Sequence, residues 1–400
     1  MCDQNTQKTA SSSLLLVAGE ASGDAHGAAL IQALRQEHPH LRLYGLGGEQ
    51  MRRVGVEMLS DIEALNVVGV MEVFAKIPRA LQLARALRAE AIRRGTRVAV
   101  LIDAPGFNIA LARWLKGAGL RVVYYVSPQI WAWRQGRVKK IARRVDTMLT
   151  LFPFEVPFYT AAGLAAECVG HPLVDRLQSL PTSEQAAEMC GLDSRRPTVA
   201  LLPGSRRQEI QRLLPPMLKA FQLITERLPH TQGVLPVAPT LQLAEVHSYL
   251  RAAPPGVTVL QGHSTQALCA ATFAMVGSGT ATLEAGVIGT PMVVVYKVHP
   301  LTAVLARRLL RVPWIGLVNI VAGKQLVPEL WQEQVQPQAI AAYALRCLEH
   351  PEEMQRIRHA LGVVRSALGE GDGARRAARR VSHFLYLTGA CPPPLPSASG

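Results

Sequence analysis

Aliphatic residues gather in short runs that stop at glycine, proline or a small polar residue, and amphipathic stretches fill the gaps between runs. "LLLVAG" leads into "GAALIQALRQEHP", then "LRLYGLGG", "RVAVLIDAPG", the helix-patterned "NIALARWLKGAG", "RVVYYVSP", "TMLTLFP" and "AAECVGHP". Runs of Val, Ile and Leu without polar alternation describe strands buried on both faces, and the helices between them supply crossovers. The pattern predicts βαβ units and a parallel sheet.

A polar, turn-rich stretch, "HPLVDRLQSLPTSEQAAEMCGLDSRRP", interrupts this rhythm and predicts a domain junction around Val174 to Pro197. The rhythm restarts with "TVALLPGS", "GVLPVAP", "VTVL", "TFAMVGSGT" and "TPMVVVYK". The expected fold class is therefore α/β, with two Rossmann-like domains whose parallel sheets face across a cleft. Ligands are expected at the carboxyl ends of the strands. One stripe stands apart: Val67, Val70, Met71, Phe74 and Ile77 recur at helical spacing before Pro78, which is expected to start a second helix. Such a stripe suits a core, or, with its flanking basic residues, a membrane surface.

The chain has 400 residues, enough for two cores. Hydrophobic residues make up 49% and charged ones 18%, yet no apolar run approaches the roughly 18 residues of a transmembrane helix. The start, "MCDQNTQKTASSS", lacks a basic leader pattern, so a cytoplasmic location is expected. The six cysteines form no C-x-x-C pair and indicate neither a disulfide framework nor zinc. A net charge of +14 calls for an anionic partner: nucleic acid, an acidic membrane surface or a phosphorylated substrate. No recognisable nucleic-acid motif accompanies it. The end, "CPPPLPSASG", has the composition of a disordered tail.

Five stretches carry candidate chemistry. In "TVALLPGSRRQEI", Gly204 and Ser205 join a strand to a helix that opens on Arg206 and Arg207. Backbone N–H groups and guanidinium forks together make an anion site, although a plain capped helix fits as well. In "GSGTATLE", Ser278, Gly279 and Thr280 form an acid-free turn into a helix, suited to a diphosphate. Glu284, one turn on, is placed to accept from ribose hydroxyls or simply to face solvent. There is no G-x-G-x-x-G, no P-loop and no D-x-D, so neither a cofactor nor a metal is expected and protein donors must neutralise any diphosphate.

In "VLIDAPGFN", Asp103 ends a strand, where a carboxylate can take a proton from a hydroxyl nucleophile, or else cap the next helix. The opening loop "VAGEASGDAHG" carries Glu20, Ser22 and Asp24. Its acids disfavour phosphate but suit sugar hydroxyls and amides; Asp24 is a rival for the base, and either acid could cap the helix instead. Finally, "YYVSPQIWAWRQGRVKKIARR" mixes Trp131 and Trp133 with Arg134, Arg137, Lys139, Lys140, Arg143 and Arg144. That mixture suits a headgroup-rich interface, a phosphorylated acceptor, nucleic acid, or a solvated basic helix.

Taken in order, "VAGEASGD", "LNVVGVMEV", "IDAPGFN", "YVSPQIWAWRQGR", "HPLVD", "LLPGSRRQEI", "GSGTATLE", "PMVVVYK" and "GLVNIVAGKQLVPELWQ" resemble the lipid-A-disaccharide synthase family of inverting glycosyltransferases. The departures are Val318 and Trp331, where proline and leucine are expected. The resemblance implies a metal-independent GT-B fold and a reaction joining UDP-2,3-diacylglucosamine to 2,3-diacylglucosamine 1-phosphate, giving a β-1,6 disaccharide 1-phosphate and UDP. It implies UDP contacts from Arg206, Ser278, Gly279, Thr280, Glu284, Asn319, Glu329 and Gln332. On the sugar and acceptor side it leaves Glu20, Ser22, Gly23, Asp24, Asn108, Trp133 and Arg134, with Asp103 as general base. The expected division is 1–12 disordered, 13–180 acceptor domain, 195–368 UDP-sugar domain, 369–388 a helix returning to the first domain, and 389–400 a disordered tail. A peripheral position on the cytoplasmic face of the inner membrane is implied, with room for a homodimer and no nucleic acid. A UDP-amino-sugar epimerase, or a non-enzymatic basic binding protein, are the competing readings.

Overall fold

The computed structural model describes residues 12–62, 70–133, 135–239, 241–250, 254–299, 303 and 312–391. The expected disordered ends lie outside these apart from residues 12 and 389–391. So do Val67, Arg134 and the side chains of Val70, Met71, Phe74, Ile77 and Trp133. The chain divides into two units, Met1–Pro172 with Gly371–Gly400, and Leu173–Glu370.

The first unit is a seven-stranded parallel sheet of β1 (Ser13–Ala18), β2 (Arg42–Gly47), β3 (Glu57–Asp61), β4 (Val98–Ile102), β5 (Arg121–Tyr125), β6 (Thr147–Thr150) and β7 (Ala165–Cys168), in the order β3-β2-β1-β4-β5-β6-β7. β1 lies between β2 and β4, with Leu15 beside Tyr44 and Val17 beside Leu101. Every residue of β1 and β4 is buried, as their unbroken aliphatic runs require. Gly45 is dictated by this pairing: a Cβ there would sit 1.8 Å from the Leu16 carbonyl oxygen. Chain order reverses between β1 and β4, so the loops leaving these two strands flank a topological switch point.

The second unit repeats the plan with six parallel strands: β8 (Thr198–Leu202), β9 (Gln232–Val237), β10 (Val257–Gln261), β11 (Phe273–Gly277), β12 (Met292–Tyr296) and β13 (Glu329–Trp331). Their order is β10-β9-β8-β11-β12-β13, which puts the switch point between β8 and β11. The helix Arg207–Arg227 covers one face with Ile210, Leu213, Leu214, Met217, Phe221 and Ile224, which join Val199, Leu201, Met275 and Val293 in the core.

Three sequence expectations change. Pro78 does not start a second helix; it lies inside one helix, Val70–Arg93. That helix buries Ala84, Leu87 and Ala91, and their burial helps offset the roughly 3 kcal/mol an interior proline costs. The turn-rich stretch expected as a junction contains the helix Ser183–Met189, started by a capping box between Thr182 and Gln185. Its Ala186 and Ala187 pack on Ala270, within the second unit. Trp131 is a core residue of the first unit, 6% exposed, rather than part of an exposed aromatic face.

The C-terminal helix Gly373–Leu387 lies against the helix Ala21–Glu37 of the first unit. Ser382 Oγ bonds His38 Nε2 at 2.9 Å and donates to Glu37 Oε2 at 2.7 Å. Among the described residues, no helix is long and apolar enough to cross a membrane.

Candidate active site

In the first unit, the switch point brings the loop after β1 to the residue after β4. The helix Ala21–Glu37 begins at Glu20, whose exposed side chain makes no cap bond. Gly23 sits so close to the end of β4 that a Cβ would be 3.3 Å from the Ile102 carbonyl and 3.6 Å from Asp103 Cβ. This approach lets Ser22 Oγ donate to Asp103 Oδ2 at 3.1 Å. Asp103 is not a helix cap: the residue preceding the helix Pro105–Gly117 is Ala104, and it makes no side-chain cap bond. His26, one turn beyond Ser22, meets the Tyr125 ring edge-on at 5.8 Å. Burial lowers the His26 pKa, against the opposing pull of Asp103, which favours the neutral ring.

Two of the residues expected to meet sugar are buried and bonded within the chain. Asp24 is 3% exposed. Its Oδ1 accepts from Gly48 N at 2.7 Å and Met51 N at 3.1 Å, and Oδ2 from Gln50 N at 2.9 Å. Asp24 thus satisfies the start of the helix Glu49–Arg53. Asn108 is fully buried, and its amide nitrogen donates to the backbone carbonyls of Val17, Ile102 and Asp103.

Sequence reasoning missed an acid nearby in chain order. Glu155 is 2% exposed, and its carboxyl accepts from Ser127 Oγ at 2.5 Å, Trp131 Nε1 at 3.0 Å and Phe152 N at 3.2 Å. Burial pushes its pKa up to about 7, against the pull of these donors. A lone acid inside the apolar "LFPFEVPF" was the available signal.

In the second unit, a cavity of about 370 Å³ opens where β8, β9 and β11 end. Its lining includes Gly204 to Arg206, Glu209, Pro236 to Pro239, Ser278 to Ala281 and Glu284. The helix Thr280–Ile288 points its start into this space, and first-turn N–H groups have no partner within a helix. Gly279 leaves the site open, since a Cβ there would meet nothing within 4 Å. Glu284, 5% exposed, accepts from Thr265 Oγ1 at 2.5 Å and pairs with Arg176 Nη2 at 3.0 Å. Neither Thr265 nor Arg176 was expected at the site.

The turn at Gly204 is also engaged within the chain. Its amides do not stand ready for an anion, because Glu209 Oε2 accepts from Ser205 N at 2.8 Å and Arg206 N at 3.1 Å. Arg206 Nη1 reaches Glu209 Oε1 at 3.2 Å, while Arg207 pairs with Glu245. The helix start at the Ser278 turn, by contrast, has no side-chain cap bond, and the exposed Arg206 guanidinium lines the same cavity.

Asn319, Glu329 and Gln332 are not among the residues lining this cavity. Asn319 is fully buried: its Oδ1 accepts from Leu326 N and Val327 N, and its Nδ2 donates to Val327 O and Glu329 Oε1. Glu329 accepts from Ile315 N at 2.8 Å and Gly316 N at 2.9 Å, and Ile315 O in turn receives Ser278 Oγ at 2.7 Å. These two residues therefore reach the cavity at one remove, by holding the loop that holds Ser278. Gln332 clamps Val298 through its N–H and C=O at 2.7 and 3.2 Å. Among the described residues, no group of three or more His, Cys, Asp or Glu is arranged to hold a metal ion.

The family model for lipid-A-disaccharide synthetase matches residues 14–377. A lipid-A-disaccharide synthase of Myxococcus xanthus is 42% identical over 372 residues, 93% of this chain and 97% of the relative. Solved structures share the fold at lower identity. The UDP-GlcNAc 2-epimerase of Neisseria meningitidis bound to UDP-GlcNAc aligns with TM-score 0.59 and 11% identity, over 94% of this chain and all of the other. The calicheamicin glycosyltransferase CalG4 aligns with TM-score 0.57 and 16% identity, over 94% and 98%. Epimerases and glycosyltransferases thus share this GT-B architecture, and only the sequence match separates them.

Proposed function

The chain belongs to the lipid-A-disaccharide synthetase family, and we propose that it joins UDP-2,3-diacylglucosamine to 2,3-diacylglucosamine 1-phosphate, releasing UDP and the β-1,6-linked disaccharide 1-phosphate. The observation that carries this reading is a family match that runs through both units, from the β1 loop to the C-terminal helix. The epimerase alternative is not favoured by that match.

In this reading the 6-hydroxyl of the acceptor attacks the anomeric carbon of the donor. The new C–O bond forms as the bond to the diphosphate breaks, and the electron pair leaves with UDP. Asp103 takes the hydroxyl proton, and Ser22 fixes one carboxylate oxygen by its bond of 3.1 Å. The departing diphosphate is stabilised by the first-turn amides of the helix Thr280–Ile288, by Ser278 and Thr280, and by Arg206. Glu284 is the ribose acceptor, already oriented by Thr265 and Arg176. Asn319 and Glu329 act as braces of the Ser278 turn rather than as nucleotide contacts. Glu20, exposed at the start of the first helix, is the acid assigned to sugar hydroxyls and amides in this reading.

The acyl chains require access to lipid. A basic surface on the first unit supports a peripheral position on the cytoplasmic face of the inner membrane. Arg85, Arg88 and Arg113 line one cavity with Trp114, and Arg113, Lys139, Lys140, Arg143 and Arg144 line the next, with no acid in either set. Such a cluster favours anionic headgroups and weakens with salt. Product analysis by mass spectrometry from the two diacyl sugars tests the reaction; conversion of UDP-N-acetylglucosamine to an epimer instead would overturn it. Flotation with phosphatidylglycerol vesicles, against phosphatidylcholine controls, tests the surface.

A further inference from the structure

Two consecutive residues at the end of β4 have left-handed backbones without being glycine: Asp103 at φ 51° and Ala104 at φ 44°. Side-chain-bearing residues adopt this region rarely and at a cost, so surrounding contacts must hold them there. The contacts converge on one atom. The Asp103 carbonyl oxygen accepts from Tyr124 Oη at 2.6 Å and from Asn108 Nδ2 at 2.9 Å, which uses both of its lone pairs. Asp103 N donates to Tyr125 O at 3.0 Å, so the residue is pinned on both sides of its Cα. Tyr124 and Asn108 are both fully buried, which keeps them away from any substrate.

We propose that the Tyr124 hydroxyl and the Asn108 carboxamide are positioning residues for the transfer reaction. They hold the Asp103–Ala104 peptide in its strained form and thereby fix the direction in which the Asp103 carboxylate leaves the strand. Burial raises the Tyr124 pKa well above the ordinary phenol range, so this hydroxyl stays a donor at every working pH. The proposal rests on the reading of Asp103 as proton acceptor. It adds that the geometry of the base is set from beneath, by groups one layer below the site.

The experiment is a double-mutant cycle on the full chain with both diacyl sugars. Tyr124→Phe is expected to lower kcat by about tenfold to hundredfold, the scale of a small misplacement, with both KM values unchanged. Added to Asp103→Ala it is expected to cause no further loss, because it acts through that carboxylate. Ala104→Gly, which relieves the left-handed strain, is expected to restore much of the turnover lost in Tyr124→Phe. A wild-type kcat in Tyr124→Phe overturns the proposal, as does a loss that adds fully to that of Asp103→Ala or one that Ala104→Gly leaves untouched. Full turnover in Asp103→Ala would sink the base assignment instead, which separates the two failures. Should Tyr124→Phe fail to fold, Asn108→Ser removes the other donor to the same carbonyl and is read identically: kcat loss at constant KM supports the proposal, and unchanged kcat overturns it.

Discussion

Ser22 Oγ donates to Asp103 Oδ2 at 3.1 Å, tying the first crossover helix to the acid at the end of the neighbouring strand. The bond orients one carboxylate oxygen and leaves the other for a substrate proton. Asp103→Ala is therefore expected to lower kcat by about 10²–10⁴-fold. UDP affinity, which the proposed reading assigns to the second unit, is expected to stay at the wild-type value. Ser22→Ala is expected to cost less, about tenfold. Turnover by mass spectrometry and UDP binding by calorimetry check both. Loss of UDP binding in Asp103→Ala would reverse the assignment of that residue.

Asp24 separates stability from catalysis. Its carboxylate accepts three backbone N–H groups at the start of a helix from 2.7 to 3.1 Å. Asp24→Ala leaves the buried Gly48 and Met51 N–H groups unpaired, with an expected loss of about 2–4 kcal/mol in unfolding free energy. Urea unfolding measures the loss, and kcat per folded molecule is expected to stay within a factor of a few of wild type. A variant of native stability that is catalytically dead would restore Asp24 as a base.

Gly279 offers a test that folding does not confuse. A Cβ there meets no atom within 4 Å and the backbone is extended, so Gly279→Ala is expected to leave stability unchanged. The added methyl would occupy the space proposed for the diphosphate. A rise of about tenfold or more in donor KM, with acceptor KM constant, is the expected result, equivalent to the loss of a favourable contact. An unaltered donor KM would move the diphosphate away from this turn.

The features legible in the sequence were those set by local pattern. Unbroken runs such as "VAVLI" and "FAMVG" are strands because both faces are covered, and Asp103 and Ser278 stood out because each follows such a run. What sequence could not supply was the destination of side chains whose partners lie elsewhere in the fold. Asp24 bonds residues 48–51, Glu209 turns back on Ser205, and Asn319 folds onto Val327 and Glu329. Each type of residue fits ligand binding or backbone capping equally well; only three-dimensional proximity decides. Proline misled for a related reason, because the local cost of Pro78 is set against the burial of Ala84, Leu87 and Ala91 further along the same helix.

Asn319 provides the test of bracing at one remove. Its amide closes four bonds, one of them to Glu329, which holds the Ile315–Gly316 backbone that receives Ser278. Asn319→Ala is expected to destabilise the second unit by about 2–3 kcal/mol and to raise donor KM together with that loss. If instead KM rises in a protein of unchanged stability, Asn319 meets the nucleotide directly.

Glu155 makes stability depend on pH in a direction opposite to that of a salt-bridged acid. Its pKa is raised from 4.5 to about 7, chiefly by burial. Below about pH 4.5 the carboxyl is protonated in folded and unfolded chains alike, and its contribution is fully present. As pH rises from there through about 7, the unfolded chain releases the proton more readily, and that contribution is lost. The difference amounts to about 2–3 kcal/mol. Glu155→Gln retains acceptors for Ser127 and Trp131 but turns an N–H₂ toward Phe152 N, so it begins with one bond lost, about 1 kcal/mol. Urea midpoints at pH 5 and pH 8 are expected to differ less in this variant than in wild type, by an amount corresponding to that 2–3 kcal/mol. An identical pH slope in the two proteins would show that Glu155 is ionised in the fold throughout this range, and that its three donors outweigh its burial.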